Sequence, residues 1–122
     1  MAFGPRQLGL SEAEVNARVE KSLAQAGLAG CGHRATHHLS HGEKRRVCLA
    51  GVLACEPGLL LLDEPSSGLD PRGRRSLAAL LHKLPATVII ASHDLAFIEQ
   101  VCSRVVVMDG GRVAADGPAG EV

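Results

Sequence analysis

Apolar and polar positions follow two rhythms along the chain, and the switches between them set the expected elements. After Ser11, with Glu14 three residues on, Val15, Val19 and Leu23 recur every four residues, the period of a helix with one buried stripe. Ser11 and Glu14 form a capping box at its start, and Gly27 marks its end. Over residues 28–39 the periodicity lapses into Gly, Cys and His, and a loop is expected. A second capping box, Ser40 with Glu43, opens a helix through Lys44, Val47, Leu49 and Leu53 that stops at Glu56-Pro57-Gly58.

Residues 59–62 then form an unbroken leucine run, as expected of a strand buried on both faces of a parallel sheet. Asp70-Pro71 supplies an N-cap and an N1 proline for a helix carrying Leu77, Leu80, Leu81 and Leu84, with Pro85 just past its end. Residues 87–91 read as a second buried strand, with Ser92, His93 and Asp94 at its exit. Asp94 caps a helix through Leu95, Ile98 and Val101, and residues 104–108 form a third strand that Gly110-Gly111 turns into a short partner around Val113. Strand, helix, strand, helix, strand is the alternation of an α/β domain.

Composition narrows the function classes. With 122 residues the chain has the size of one domain, and 46% hydrophobic against 21% charged residues excludes a disordered chain. Thirteen basic residues balance thirteen acidic ones, so no net field draws it to nucleic acid. Phe3 and Phe97 are its only aromatics, which removes the stacking platforms of single-strand binders. The clusters Arg72, Arg74, Arg75 and Lys44, Arg45, Arg46 read as solvated helix faces. No apolar run approaches the ~20 residues of a spanning helix. Cys31, Cys48, Cys55 and Cys102 form no C-x-x-C pair, and nothing resembles a signal peptide, so a reduced, cytosolic compartment is expected. The spacing of Cys31, His33, His37, His38 and His41 fits no standard zinc site.

Candidate chemistry lies where elements begin or end. Leu39-Ser40-His41-Gly42-Glu43 stands at a helix N-terminus, whose free N–H groups and positive dipole end favour phosphate, although Ser40 and Glu43 equally serve as caps. Asp63 and Glu64 follow the leucine strand, where one carboxylate suits a hydrated magnesium ion and its neighbour an attacking water. Asp70 already has a structural task as cap of the next helix. His93 ends the second strand, and parallel strands bring their carboxyl ends to one edge, so His93 and Glu64 are expected to meet there.

In order and spacing, Leu39 to Glu43, the strand ending in Asp63-Glu64-Pro65, Ser67-Gly68-Leu69-Asp70-Pro71 and Ser92-His93-Asp94 resemble the ATP-binding-cassette (ABC) ATPases across essentially the whole chain. The resemblance implies a parallel-sheet P-loop NTPase core, in its C-terminal half, with part of the helical subdomain. Residues 1–57 would be the helical portion and 58–122 the core portion. It makes Leu39, Ser40, His41, Gly42 and Glu43 the signature motif, Asp63 a holder of Mg2+ through water, Glu64 the catalytic carboxylate, Asp70 part of the ATP-contacting D-loop and His93 the switch histidine. ATP and Mg2+ are the implied substrate and cofactor. Transmembrane permease subunits and a second ABC ATPase subunit, identical or not, are the implied partners, with no nucleic acid, at the cytoplasmic face of the cell membrane. Ala2-Phe3-Gly4-Pro5, the run from Glu43 to Val47 and Ala115-Asp116-Gly117-Pro118 look like the cobalt and nickel ATPases of energy-coupling-factor importers. His41 and Glu43 depart from the family's usual glycine and glutamine.

The family also requires a P-loop, G-x-x-x-x-G-K-[ST], whose amides wrap the phosphates. The lysines here are Lys21, Lys44 and Lys83, preceded by Glu20, Glu43 and His82, so the motif is absent from these 122 residues. The expected consequences are a half domain with exposed apolar sheet, weak or no ATP binding by the isolated chain, and a tendency to associate. Two alternatives stand beside an ATP-hydrolysing subunit. One is a non-catalytic module docking on a complete partner ATPase. The other is a fragment of a DNA-maintenance ABC ATPase, which the lack of any heptad run disfavours.

Overall fold

A computed structural model describes the backbone of all 122 residues and every side chain except those of Thr36 and His41. The chain divides into two compact units, Met1–Gly58 and Leu59–Val122.

The first unit is helical. Both capping boxes form. Ser11 starts helix α2 (Glu12–Gln25) and Ser40 starts helix α3 (His41–Leu53), each with reciprocal bonds to the glutamate three residues on. Gly27, at φ 71°, ends α2 in a Schellman motif. Its N–H donates to the Ala24 carbonyl and that of Leu28 to the Leu23 carbonyl. That reversal brings Leu28 back onto Leu23, and both join Ala26 and Ala50 in the core, with Val19, Cys31 and Val47 packed against them. Two short elements were not expected: helix α1 (Phe3–Gln7), whose N-cap Ala2 makes no side-chain cap, and a 3-10 turn (Thr36–His38) within the loop.

In the second unit, β1 (Leu59–Asp63) and β2 (Thr87–Ala91) pair in parallel, Leu59 opposite Thr87 and Asp63 opposite Ala91. Helices α4 (Pro71–Leu81) and α5 (Leu95–Val101) belong to this unit, and Leu60, Ala78, Leu81, Phe97 and Ile98 are its buried apolar residues. Asp70 caps α4, accepting from Gly73 N–H at 2.8 Å, and Asp94 caps α5, accepting from Phe97 N–H at 3.2 Å. Burial on both strand faces is not what this chain shows. Leu60 is buried while Leu59, Leu61 and Ile89 are 51%, 68% and 55% exposed, because side chains alternate across a pleated strand and only one face of this pair is covered. The third strand, β3 (Arg104–Asp109), does not extend the parallel pair. It forms a separate antiparallel ribbon with β4 (Arg112–Pro118), because Gly110 and Gly111, both at positive φ, close a two-residue hairpin.

Candidate functional site

The geometry around Glu64 follows from the end of strand β1. Its N–H still donates to the Ala91 carbonyl at 2.8 Å, continuing the β1–β2 pairing one residue past Asp63. Its φ is then 45°, in the left-handed region that non-glycine residues seldom occupy. The strand thus ends abruptly, and the Glu64 carboxylate meets the exit of β2. Oε1 accepts from the His93 N–H at 3.1 Å and lies 2.7 Å from His93 Nδ1, while Oε2 accepts from the Ser92 hydroxyl at 2.9 Å.

These contacts set the protonation states. The hydrogen bond from His93, followed by those from Ser92 and the His93 amide, holds the Glu64 carboxyl below its usual range. The same contact, with the attraction of the Glu64 charge, raises the His93 imidazole above its ordinary value. An ionised carboxylate can only accept, so Nδ1 carries the shared proton and Nε2 is the nitrogen left for another group. The His93 side chain is 87% exposed and that of Glu64 37%. The pair is therefore open to an incoming water or anion.

Behind it lies a second set of polar contacts. Asp94 Oδ2 accepts from the buried Ser66 hydroxyl at 2.9 Å and lies 3.1 Å from Arg74 Nη1. These bonds, led by the one from Ser66, keep the Asp94 carboxyl below its usual range. From sequence, Asp94 is expected as a helix cap and, with Ser92, in the Ser92-His93-Asp94 segment, and Arg74 on a solvated helix face; the contacts that Ser66, Ser92 and Arg74 make here are not expected. Ser92 had a signal, since it adjoins His93. Ser66 had none, because 28 residues separate it from Asp94.

Asp63, at the carboxyl end of β1, is exposed. It offers hard carboxylate oxygens, and among the described residues no group of three His, Cys, Asp or Glu is placed to hold a metal ion. This donor set fits Mg2+ held through water beside substrate phosphates rather than in a protein cage. Asp70 is exposed and occupied by its cap to Gly73.

In the first unit, Ser40 N–H donates to Glu43 Oε2 at 2.8 Å and Glu43 N–H to Ser40 Oγ at 3.2 Å. Those bonds, strengthened by Arg34 at 3.3 Å, hold the Glu43 carboxyl below its usual range. Leu39 is buried. A Cβ added at Gly42 would meet open space. The expectation for His41 falls on a side chain outside the described residues. No helix is long and apolar enough to cross a membrane among the described residues.

Residues 3–67 match the ABC transporter family. A Streptomyces avermitilis protein, provisionally named an ABC transporter ATP-binding protein, is 49% identical over the whole chain, which covers 47% of that protein. The energy-coupling factor transporter ATP-binding protein EcfA of Methanoculleus marisnigri is 46% identical over the whole chain, covering 46% of it. Among solved structures, cbiO1 of Clostridium perfringens, described as part of the ABC transporter complex cbiONQ, matches 98% of this chain and 49% of its own, at 41% identity and TM-score 0.88. An ATP-binding cassette of an ABC transporter in its ADP conformation, 24% identical, matches 89% of this chain and 44% of its own at TM-score 0.79, which bears on the fold alone. The chain spans about half the length of the curated relatives it matches. With the ordered motifs, the matched residues 3–67 and the P-loop NTPase fold of its structural neighbours in agreement, the chain belongs to the ABC transporter ATPase family.

Proposed function

We propose that this chain is the part of an ATP-hydrolysing ABC transporter subunit that carries the signature helix, the catalytic carboxylate and the switch histidine. The observation that carries the reading is the Glu64–His93 pair at the carboxyl edge of β1 and β2, the edge at which α/β sheets bind ligands. Glu64, kept ionised, polarises the attacking water and accepts its proton. His93 donates Nδ1–H to Glu64 and, in its protonated form, donates Nε2–H to a γ-phosphate oxygen. Mg2+, held through water by Asp63, would neutralise phosphate charge when ATP is bound. At the amino end of α3, the Ser40 hydroxyl proton, the Gly42 N–H and the positive dipole end are offered to the phosphates of an ATP seated in a P-loop.

In this reading the domains pair head to tail, so that the signature helix closes over the ATP held by the P-loop of a second ABC ATPase domain. The assembly works with transmembrane permease subunits at the cytoplasmic face of the membrane. Cobalt, nickel or another micronutrient is the transported cargo, a reading supported by the similarity to EcfA and cbiO1.

Glu64→Gln tests the catalytic reading. In assembly with a partner bearing a P-loop, the substitution keeps the shape but removes the base, and ATP turnover should fall about a hundredfold or more. Unchanged turnover would overturn it and leave a module that docks on a complete ATPase without catalysing.

A further inference from the structure

Ser92 joins two hydrogen-bond systems. Its hydroxyl accepts from the Asp94 N–H at 3.2 Å and donates to Glu64 Oε2 at 2.9 Å. A hydroxyl has a single proton. With the Asp94 N–H pointed at its oxygen, that proton is committed to the Glu64 carboxylate. Asp94 is itself held from three sides: by the hydroxyl of Ser66, which is 1% exposed, by Arg74, and by the Phe97 N–H at the start of α5.

The two oxygens of Glu64 therefore have different holders. His93 grips Oε1 through both its backbone and its ring, and Ser92 alone grips Oε2. A carboxylate held by one oxygen can swing about that contact, whereas one held by both has a fixed plane. A base acts on water only when its lone pair is aimed along the line of attack.

We propose that Ser92 is a positioning residue, whose hydroxyl fixes the plane of the Glu64 carboxylate while Ser66, Asp94 and Arg74 keep Ser92 in place. The inference rests on Glu64 being the catalytic carboxylate. The positioning contact itself exists without nucleotide and is measurable without turnover.

Two variants and two readouts test it. In the assembly with a P-loop-bearing partner, Ser92→Ala should lower kcat about tenfold, the worth of one hydrogen bond to a charged group, with KM for ATP unchanged. Ser92→Thr, which keeps the hydroxyl, should restore turnover. In the full chain without nucleotide, the 15N shifts of the His93 ring report which nitrogen carries the proton. On the alkaline side of its titration the wild type and Ser92→Thr should hold the Nδ1–H tautomer. Ser92→Ala should move toward the Nε2–H form of free imidazole, because a carboxylate plane free to turn about Oε1 no longer keeps that oxygen's lone pair aimed at Nδ1–H. A wild-type tautomer ratio in Ser92→Ala overturns the proposal, whatever turnover does. If Glu64→Gln keeps full turnover while Ser92→Ala still shifts the tautomer, the catalytic reading fails and the positioning of Glu64 by Ser92 is supported.

Discussion

Glu64 occupies a left-handed backbone conformation, at φ 45°, that costs an L-residue roughly 1–2 kcal/mol. Its carboxylate is compensated by three donors from Ser92 and His93. Strain that the surroundings over-determine is a mark of functional positions. The charge states of the pair have a definite pH dependence. His93 is raised, first through its hydrogen bond to Glu64 and then through the charges of Glu64 and Asp94, so its contribution is complete below 6.5 and lost as pH rises through the raised folded value. Glu64 is lowered, so its contribution is complete above 4.5 and lost as pH falls through the lowered folded value. Both contributions are complete between those two ordinary values. Proton NMR of the His93 ring in the full chain should give a midpoint above 6.5, and Glu64→Gln should return it toward that value. A wild-type midpoint at or below 6.5 would mean that the contact does not persist in solution.

Elements owe their starts to single side chains. Asp70 accepts from Gly73 N–H at 2.8 Å ahead of Pro71 at N1, so Asp70→Ala should destabilise α4 by about 1 kcal/mol, read as a lower denaturation midpoint. Asp70→Ser should recover most of the loss. Such caps lie within three residues of the helix they start, and for that reason α2, α3 and α4 were legible in the sequence. Helix α1 was not: it is five residues long, contains Gly4 and Pro5 and has no side-chain cap. The strands were legible as apolar runs, but which of their faces is covered depends on what else packs there, so the exposure of Leu59 and Leu61 was not read from β1 itself. The same division applies to the site. Glu64 and His93 were expected to meet because parallel strands share a carboxyl edge, a topological consequence. The Ser66–Asp94–Arg74 contacts depend on how the turn after Glu64 folds, and no local pattern encodes that.

For the chain as a whole, the exposed face of β1 and β2 governs behaviour in solution. Register places Leu59 and Leu61 on one face, with Ile89 directly opposite Leu61, and all three are more than half exposed. A contiguous apolar sheet face is costly to leave in water, since each Å2 removed from it gains about 25 cal/mol. Among the described residues two strands form this sheet, each with one edge that has no strand partner there, and such edges can pair with another chain. These features act together, because a second chain that pairs along an edge also covers the adjoining apolar face. These 122 residues taken alone should therefore self-associate at micromolar concentrations. Sedimentation velocity should show the monomer fraction rising in the double variant Leu61→Lys, Ile89→Lys, which places charge on the face and leaves Leu60 and the buried side intact. Far-UV circular dichroism should remain unchanged, separating loss of association from loss of fold. A wild-type chain that stays monomeric across that range would show that the exposed face is too small, or too well rimmed by polar groups, to drive association.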